Sequence, residues 1–170
     1  MKISEIYTPE KIASGKFKGY KKFRIPIYQR LYEWEDEQLL GLLEDMKAYF
    51  KNTEGDNLYY LGMMTVSPSK DGIADLVDGQ QRFTTLMLLG IAMRNKWNNF
   101  ITTDRLSFIA REDDQAYLEW IIRNYKNFNE TTLKDIPVLV NLKMQHALKV
   151  IEDFLDRLGE DKEDYCNNVY

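Results

Sequence analysis

Apolar and polar positions change period several times along the chain, and each change marks an element. From Trp34 to Phe50, the residues Leu39, Leu42, Leu43, Met46 and Phe50 fall at i, i+3, i+4, i+7 and i+11. This spacing predicts an amphipathic helix with one face on a core. The runs "LYYLGMMTV" (58–66) and "IADLV" (73–77) flank "SPSKDG", whose Pro and Asp-Gly are turn formers, so the three predict a β-hairpin. From Gln80 to about Trp97 a helix follows, and its "LMLLGIAM" is apolar around nearly the whole circumference, as in a buried central helix.

Upstream, a short helix or turn and a loop with Gly and Lys lead into an extended segment, Phe23 to Ile27. Pro26 cannot donate to a central ladder, so the segment predicts an edge strand or a strand exit. Downstream, Leu106, Phe108 and Ala110 alternate with polar neighbours and predict a short strand. A helix capped by Asp113 or Asp114 should run to Tyr125. The last helix should start near Pro137 and end before Gly159, with Val140, Met144, Ala147, Leu148, Ile151, Phe154, Leu155 and Leu158 holding its period. The terminal "EDKEDYCNNVY" predicts a linker into a further domain.

These elements predict an α+β fold: a small mixed sheet from the first half, helices packed on it, and a helical second half. The expected division is an α+β unit over 1–98 and a helical extension over 99–170 packed on it. At 170 residues the chain is long enough to bury a core. No apolar run is long enough to cross a bilayer, and the N-terminus lacks the apolar stretch of a secretory signal. With a single cysteine, Cys166, there is no internal disulfide framework, and a cytoplasmic location is the expectation.

One histidine and one cysteine also exclude zinc sites of the usual His/Cys type. His146 lies in the last helical pattern and reads as a helix-flank residue rather than a catalyst. The net charge of −4 argues against coating nucleic acid by bulk electrostatics. Its distribution is uneven: Lys11 to Tyr32 holds seven basic residues and no acid, and Glu33 to Asp45 holds six acids and no base. That pattern fits a local anion site, or a solvated basic loop followed by an acidic first helical turn.

The polar chemistry concentrates at two Gln-Arg pairs, in "RIPIYQRLYEW" and in "LVDGQQRFTTL". In the second, a strand ends at Asp78, Gly79 follows, and a helix opens at Gln80. The first turn of a helix carries unpaired N–H groups and partial positive charge, so it favours an anion. Gly79 permits close approach of a ligand, Arg82 offers a planar bidentate donor, and Gln80 and Gln81 can donate or accept. Asp78 would repel phosphate unless a magnesium ion lay between them, or it oriented a water, or it capped the helix. Thr84 and Thr85 can offer a hydroxyl to the same anion or bond back to helix carbonyls. A plain capping arrangement, Asp followed by Gln, explains the same residues without a ligand. Tyr28, Gln29 and Arg30 form the second group, and Tyr32 and Trp34 can stack on a base or fill core space. Neither the Walker A nor the G-x-G-x-x-G spacing is present.

"FRIPIYQRLYEW", "YYLGMMTV" and "LVDGQQRFTTL", in that order with a helix between the first two, resemble the N-terminal domain of the GmrSD-type restriction and phage-defence proteins. "RLSFIAREDDQAYLEWII" at 105–122 is similar to the family's following segment, and the resemblance covers most of residues 3 to 158. It implies a fold like ParB and sulfiredoxin, and a nucleotide-binding, often NTP-hydrolysing, regulatory domain that couples recognition of modified DNA to cleavage. By motif position, Asp78, Gly79, Gln80, Gln81 and Arg82 would form the phosphate-binding and hydrolytic element, and Tyr28, Gln29 and Arg30 would line the same pocket. DNA cutting in the family is associated with a separate His-Asn-His-type nuclease domain, in the C-terminal part or on another subunit, which a chain with one histidine does not carry. ParB-type sites use Gly-Glu-Arg-Arg where this chain has Gly79, Gln80, Gln81, Arg82, so base preference and hydrolysis do not transfer directly. The alternative is a non-catalytic DNA-recognition module, with the basic 11–32 segment on the phosphate backbone, or an adaptor.

Overall fold

In the computed structural model, residues 6–52, 58–69, 72–93, 97–124, 137–139 and 141–169 are described. The strands are β1 (Lys22–Ile25), β2 (Thr65–Pro68), β3 (Ile73–Asp78) and β4 (Leu106–Phe108), arranged as one sheet in the order β2-β3-β1-β4. β1 runs parallel to both β3 and β4, and β2 pairs antiparallel with β3, so the sheet is mixed. The helices are α1 (Pro9–Ala13), α2 (Asp36–Asn52), α3 (Gln80–Ala92), α4 (Glu112–Asn124), α5 (Leu142–Arg157) and α6 (Lys162–Val169). The α+β class with a helical later part is therefore the observed one.

β1 is not an edge strand. It lies between β3 and β4, and Pro26 falls one residue beyond its last position, so the missing N–H leaves the ladder intact and the strand-exit reading holds. The edges are β4 and β2, and β2 carries Pro68 at its end. β2 starts only at Thr65, and the apolar 58–64 run precedes it outside the ladder. Thr65 pairs with Asp78 and Val66 with Leu76, which leaves Val77 as the extra residue of a bulge.

α2 follows its stripe: Leu39, Leu43 and Met46 are buried, and Gln38 Oε1 accepts the Glu35 N–H before the first turn, half of a capping box. α3 is buried on most sides and its Phe83 ring lies 4.7 Å from that of Phe23 on β1. It ends at Ala92 rather than Trp97. Trp97 and Phe100 instead fold back over it, and Gly90 makes room: a Cβ there would stand 2.6 Å from Ile101 Cδ1 and 2.7 Å from Trp97 Cε3. β4 ends at Phe108, and Ala110, expected to continue it, turns the chain with φ 57°.

α5 starts at Leu142, not near Pro137, because Asn141 caps it by accepting the Met144 N–H at 2.9 Å. It packs on α2 and α3 through Met144, Ala147, Leu148, Ile151, Phe154 and Leu155. Val140 and Tyr125 fall outside the described residues. The expected terminal linker is a 3-10 turn (Gly159–Asp161) and α6, anchored by buried Tyr165, whose hydroxyl donates to Leu43 O, and by Cys166. His146 lies on α5 and pairs at the surface with Asp36 at 2.5 Å. No described helix is long and apolar enough to cross a membrane.

Candidate functional site

The two motifs meet because they follow neighbouring parallel strands. "PIYQR" leaves the C-terminal end of β1 and "DGQQR" the C-terminal end of β3, so sheet topology brings both to one rim. In open α/β sheets that rim is where ligands sit. Specific bonds then fasten the loops together. Gln29 Nε2 donates to Val77 O at 2.7 Å, a carbonyl in the bulge of β3. Gln81 spans the gap from the other side: its Nε2 donates to Leu31 O at 2.6 Å and its Oε1 accepts the Glu33 N–H at 2.9 Å.

A third parallel strand delivers Arg111, which sequence reasoning did not single out. After β4 its guanidinium donates to Arg30 O at 3.2 Å and also to Gln29 O. The signal available was its place, three residues beyond a strand parallel to β1, and that pairing is invisible in a single sequence.

Gly79 is the N-cap of α3, with φ 89°, and no side chain caps the helix. Asp78 Oδ1 accepts the adjacent Gly79 N–H at 2.8 Å, so the carboxylate turns back on its own loop rather than closing a capping box. The positive end of the α3 dipole therefore lies at the rim without a side-chain cap, with Gly79 and Gln80 themselves buried there. Gly79 also lets the chain lie close against Met64, since a Cβ would stand 2.8 Å from its Cγ.

Arg82 reaches across to Met63 O at 2.6 Å and lies 4.0 Å from Asp78 Oδ2. Its Nε is buried without a partner among the described residues, and Gly62, with φ 108°, leaves space for the guanidinium: a Cβ would meet it at 2.8 Å. Arg30 and Tyr28 project from the rim, and among the described residues the Arg30 side chain makes only an exposed 3.4 Å contact, to Glu33.

Other candidates turn inward. Gln80, Thr84 and Thr85 are buried, and Thr85 Oγ1 donates to Gln81 O while sharing a 2.9 Å hydrogen bond with the Tyr32 hydroxyl. Tyr32 fills core space rather than a base-stacking position, and burial pushes its phenol well up, against the opposing pull of the Thr85 bond, so it stays neutral. Trp34 is half-buried against the core.

For magnesium the rim supplies two exposed carboxylates, Asp78 and the Glu33 that contacts Arg30, and no group of three His, Cys, Asp or Glu side chains able to hold a metal occurs among the described residues. That donor set fits an ion that brings its remaining ligands as phosphate oxygens and water, as magnesium does. Two hollows, of about 440 Å³ (beside Tyr49 and Tyr59) and about 200 Å³ (between α2 and α6), are lined by none of the motif residues.

A family model described as GmrSD restriction endonuclease, N-terminal domain, matches residues 10–169. Comparison with curated proteins and with solved structures found no match.

Proposed function

As the chain belongs to the family of GmrSD restriction endonuclease N-terminal domains, we propose that it is the nucleotide-responsive regulatory module of a restriction system acting on DNA. It binds a nucleoside triphosphate at the C-terminal rim of β1 and β3 and hydrolyses it with magnesium, and the cutting of DNA lies with a nuclease domain or subunit outside this chain. The observation that carries the reading is the meeting of both Gln-Arg motifs at one rim, where α3 begins without a side-chain cap.

The phosphates would lie at the positive end of α3, with Met64, now packed on Gly79, moving aside and the exposed Arg30 closing over them from the β1 loop. Arg82, already holding the Met63 carbonyl, contributes positive charge behind Gly79. The exposed ring of Tyr28 offers a face for a base. Magnesium, arriving with the nucleotide, would neutralise phosphate charge during transfer. Asp78 is the carboxylate placed to hold it or to orient the attacking water, because both ends of the Gln81 amide are engaged with the loop backbone.

That engagement also favours a second reading, an adaptor in which both glutamines are purely staples. Thermal unfolding with a panel of nucleoside triphosphates and magnesium separates the two, since a ligand at 100 times its dissociation constant stabilises by about 2.7 kcal/mol. Phosphate release by the wild type, Arg30→Ala and Asp78→Ala, with and without modified DNA, completes the test. A nucleotide-dependent rise in melting temperature that Arg30→Ala abolishes supports the nucleotide module. If no nucleotide shifts the melting temperature and none is turned over, the adaptor reading stands.

A further inference from the structure

At the opposite, N-terminal end of β1 the sequence carries its densest positive charge, and little of it is neutralised. Lys22 pairs with Asp104 at 2.8 Å and Arg24 with Asp75 at 2.6 Å. Lys11, Lys16, Lys18 and Lys21 make no ion pair among the described residues, and the last three are exposed. The only carboxylate α1 contributes is Glu10.

These four lysines are carried on a turn of fixed shape. The Gly15 N–H donates to Ile12 O, Lys16 N–H to Lys11 O, Gly19 N–H to Gly15 O and Tyr20 N–H to Phe17 O, at 2.7 to 3.1 Å. Phe17 roots the turn in the core, its ring 4.6 Å from Tyr7 and 5.7 Å from Phe23. Gly15, with φ 76°, leaves room for the stem of Lys21: a Cβ there would stand 2.6 Å from Lys21 Cε. The Lys21 side chain is thereby laid over the Lys11–Lys16 turn, and its carbonyl is held by the buried Arg105. Cations whose backbone is already ordered lose less freedom on meeting a polyanion than cations on a loose tail.

We propose that the Lys11–Lys21 turn is a contact surface for the phosphate backbone of duplex DNA. A chain of net charge −4 approaches DNA through a local patch or not at all, and this patch gathers four cations that make no ion pair among the described residues. Phosphate contacts of this kind position a protein on the duplex without reading its sequence. The inference rests on the family's action on DNA and not on nucleotide binding.

The experiment measures binding of the whole 170-residue chain to a labelled duplex by fluorescence anisotropy across a salt series. Four phosphate contacts predict a slope of log K against log salt of roughly −3.6, so affinity falls about 150-fold between about 50 and 200 mM. Replacing Lys11, Lys16, Lys18 and Lys21 together by Gln should bring the slope towards zero at unchanged melting temperature. Replacing the same four by Arg should preserve it. Phosphate release should be the same in all three proteins, so this proposal and the nucleotide reading fail separately. Absence of duplex binding at the lowest salt, an unchanged slope in the glutamine variant, or binding to phosphatidylserine vesicles but not to duplex would each overturn it.

Discussion

Gln81 distinguishes a catalytic amide from a structural one, and Gln81→Ala puts a number on the difference. The side chain makes two hydrogen bonds to the backbone of the facing loop, one donated to Leu31 O and one accepted from the Glu33 N–H. A hydrogen bond contributes about 0.5–1.5 kcal/mol net, and both of these are solvent-accessible, so their joint loss should cost about 1–2 kcal/mol. For a domain of this size that is a fall in melting temperature of roughly 2–8 °C. The loop should not detach wholly, because Gln29 still holds Val77 O and Arg111 still holds Gln29 O and Arg30 O. Hydrogen exchange should therefore show a local opening, with the Glu33 amide losing protection while the β1 and β3 amides keep theirs. Gln81→Glu should fall between, since its carboxylate still accepts the Glu33 N–H but faces the Leu31 carbonyl with no donor. Unchanged protection at Glu33 in Gln81→Ala, with melting temperature within about 1 °C of wild type, would falsify the staple.

Three further outcomes follow from packing and charge. Gly90→Ala should lose about 1–3 kcal/mol in urea unfolding, because its Cβ overlaps both Ile101 and Trp97; an unperturbed midpoint would contradict that close approach. Burial pushes the Tyr117 phenol up to about 12, and its hydroxyl has no partner among the described residues, so Tyr117→Phe should be neutral or raise stability by up to about 1 kcal/mol; a loss beyond that would reveal an unrecognised hydrogen bond. The hydrogen bond from Lys22, helped by one from Thr102, holds the Asp104 carboxyl below the usual aspartate value. Its contribution is present above the unfolded-state value and disappears as pH falls through the folded one. The stability gap between wild type and Lys22→Gln should therefore close as pH drops from about 5 to about 2, and a gap that stays constant over that range would refute the linkage.

Local chemistry made part of this fold legible. The α2 stripe, the hairpin turn and the change from strand to helix at Gly79 all express preferences that act within a few residues. Long-range pairing is different in kind. Pro26 reads as an edge signal because proline removes a donor, but whether that donor was needed depends on where β1 stops, and β3 and β4 decide that from more than 45 positions away. The same holds for the functional rim. That the two Gln-Arg motifs share it follows from β1 and β3 being parallel neighbours, which fold resemblance suggested and periodicity could not. Arg105 and Arg111 were missed because each is recognisable only by the carbonyls it meets. The terminal helix was missed because its two buried residues, Tyr165 and Cys166, are adjacent in sequence and leave no helical period to detect.

β1 ties the two proposed surfaces together. Its four residues span about 13 Å, with the lysine turn entering at Lys22 and the Gln29–Arg30 loop leaving after Ile25. Each end is clamped by a guanidinium from the chain flanking β4: Arg105 on Lys21 O before that strand, Arg111 on Gln29 O and Arg30 O after it. Between the clamps β4 pairs with β1 at Phe23, Arg24 and Ile25, so a displacement of β4 along its axis would strain both clamps together. If nucleotide on the rim and DNA on the lysine turn both bias this clamped strand, the linkage is reciprocal: whatever factor the nucleotide imposes on DNA affinity, DNA must impose on nucleotide affinity.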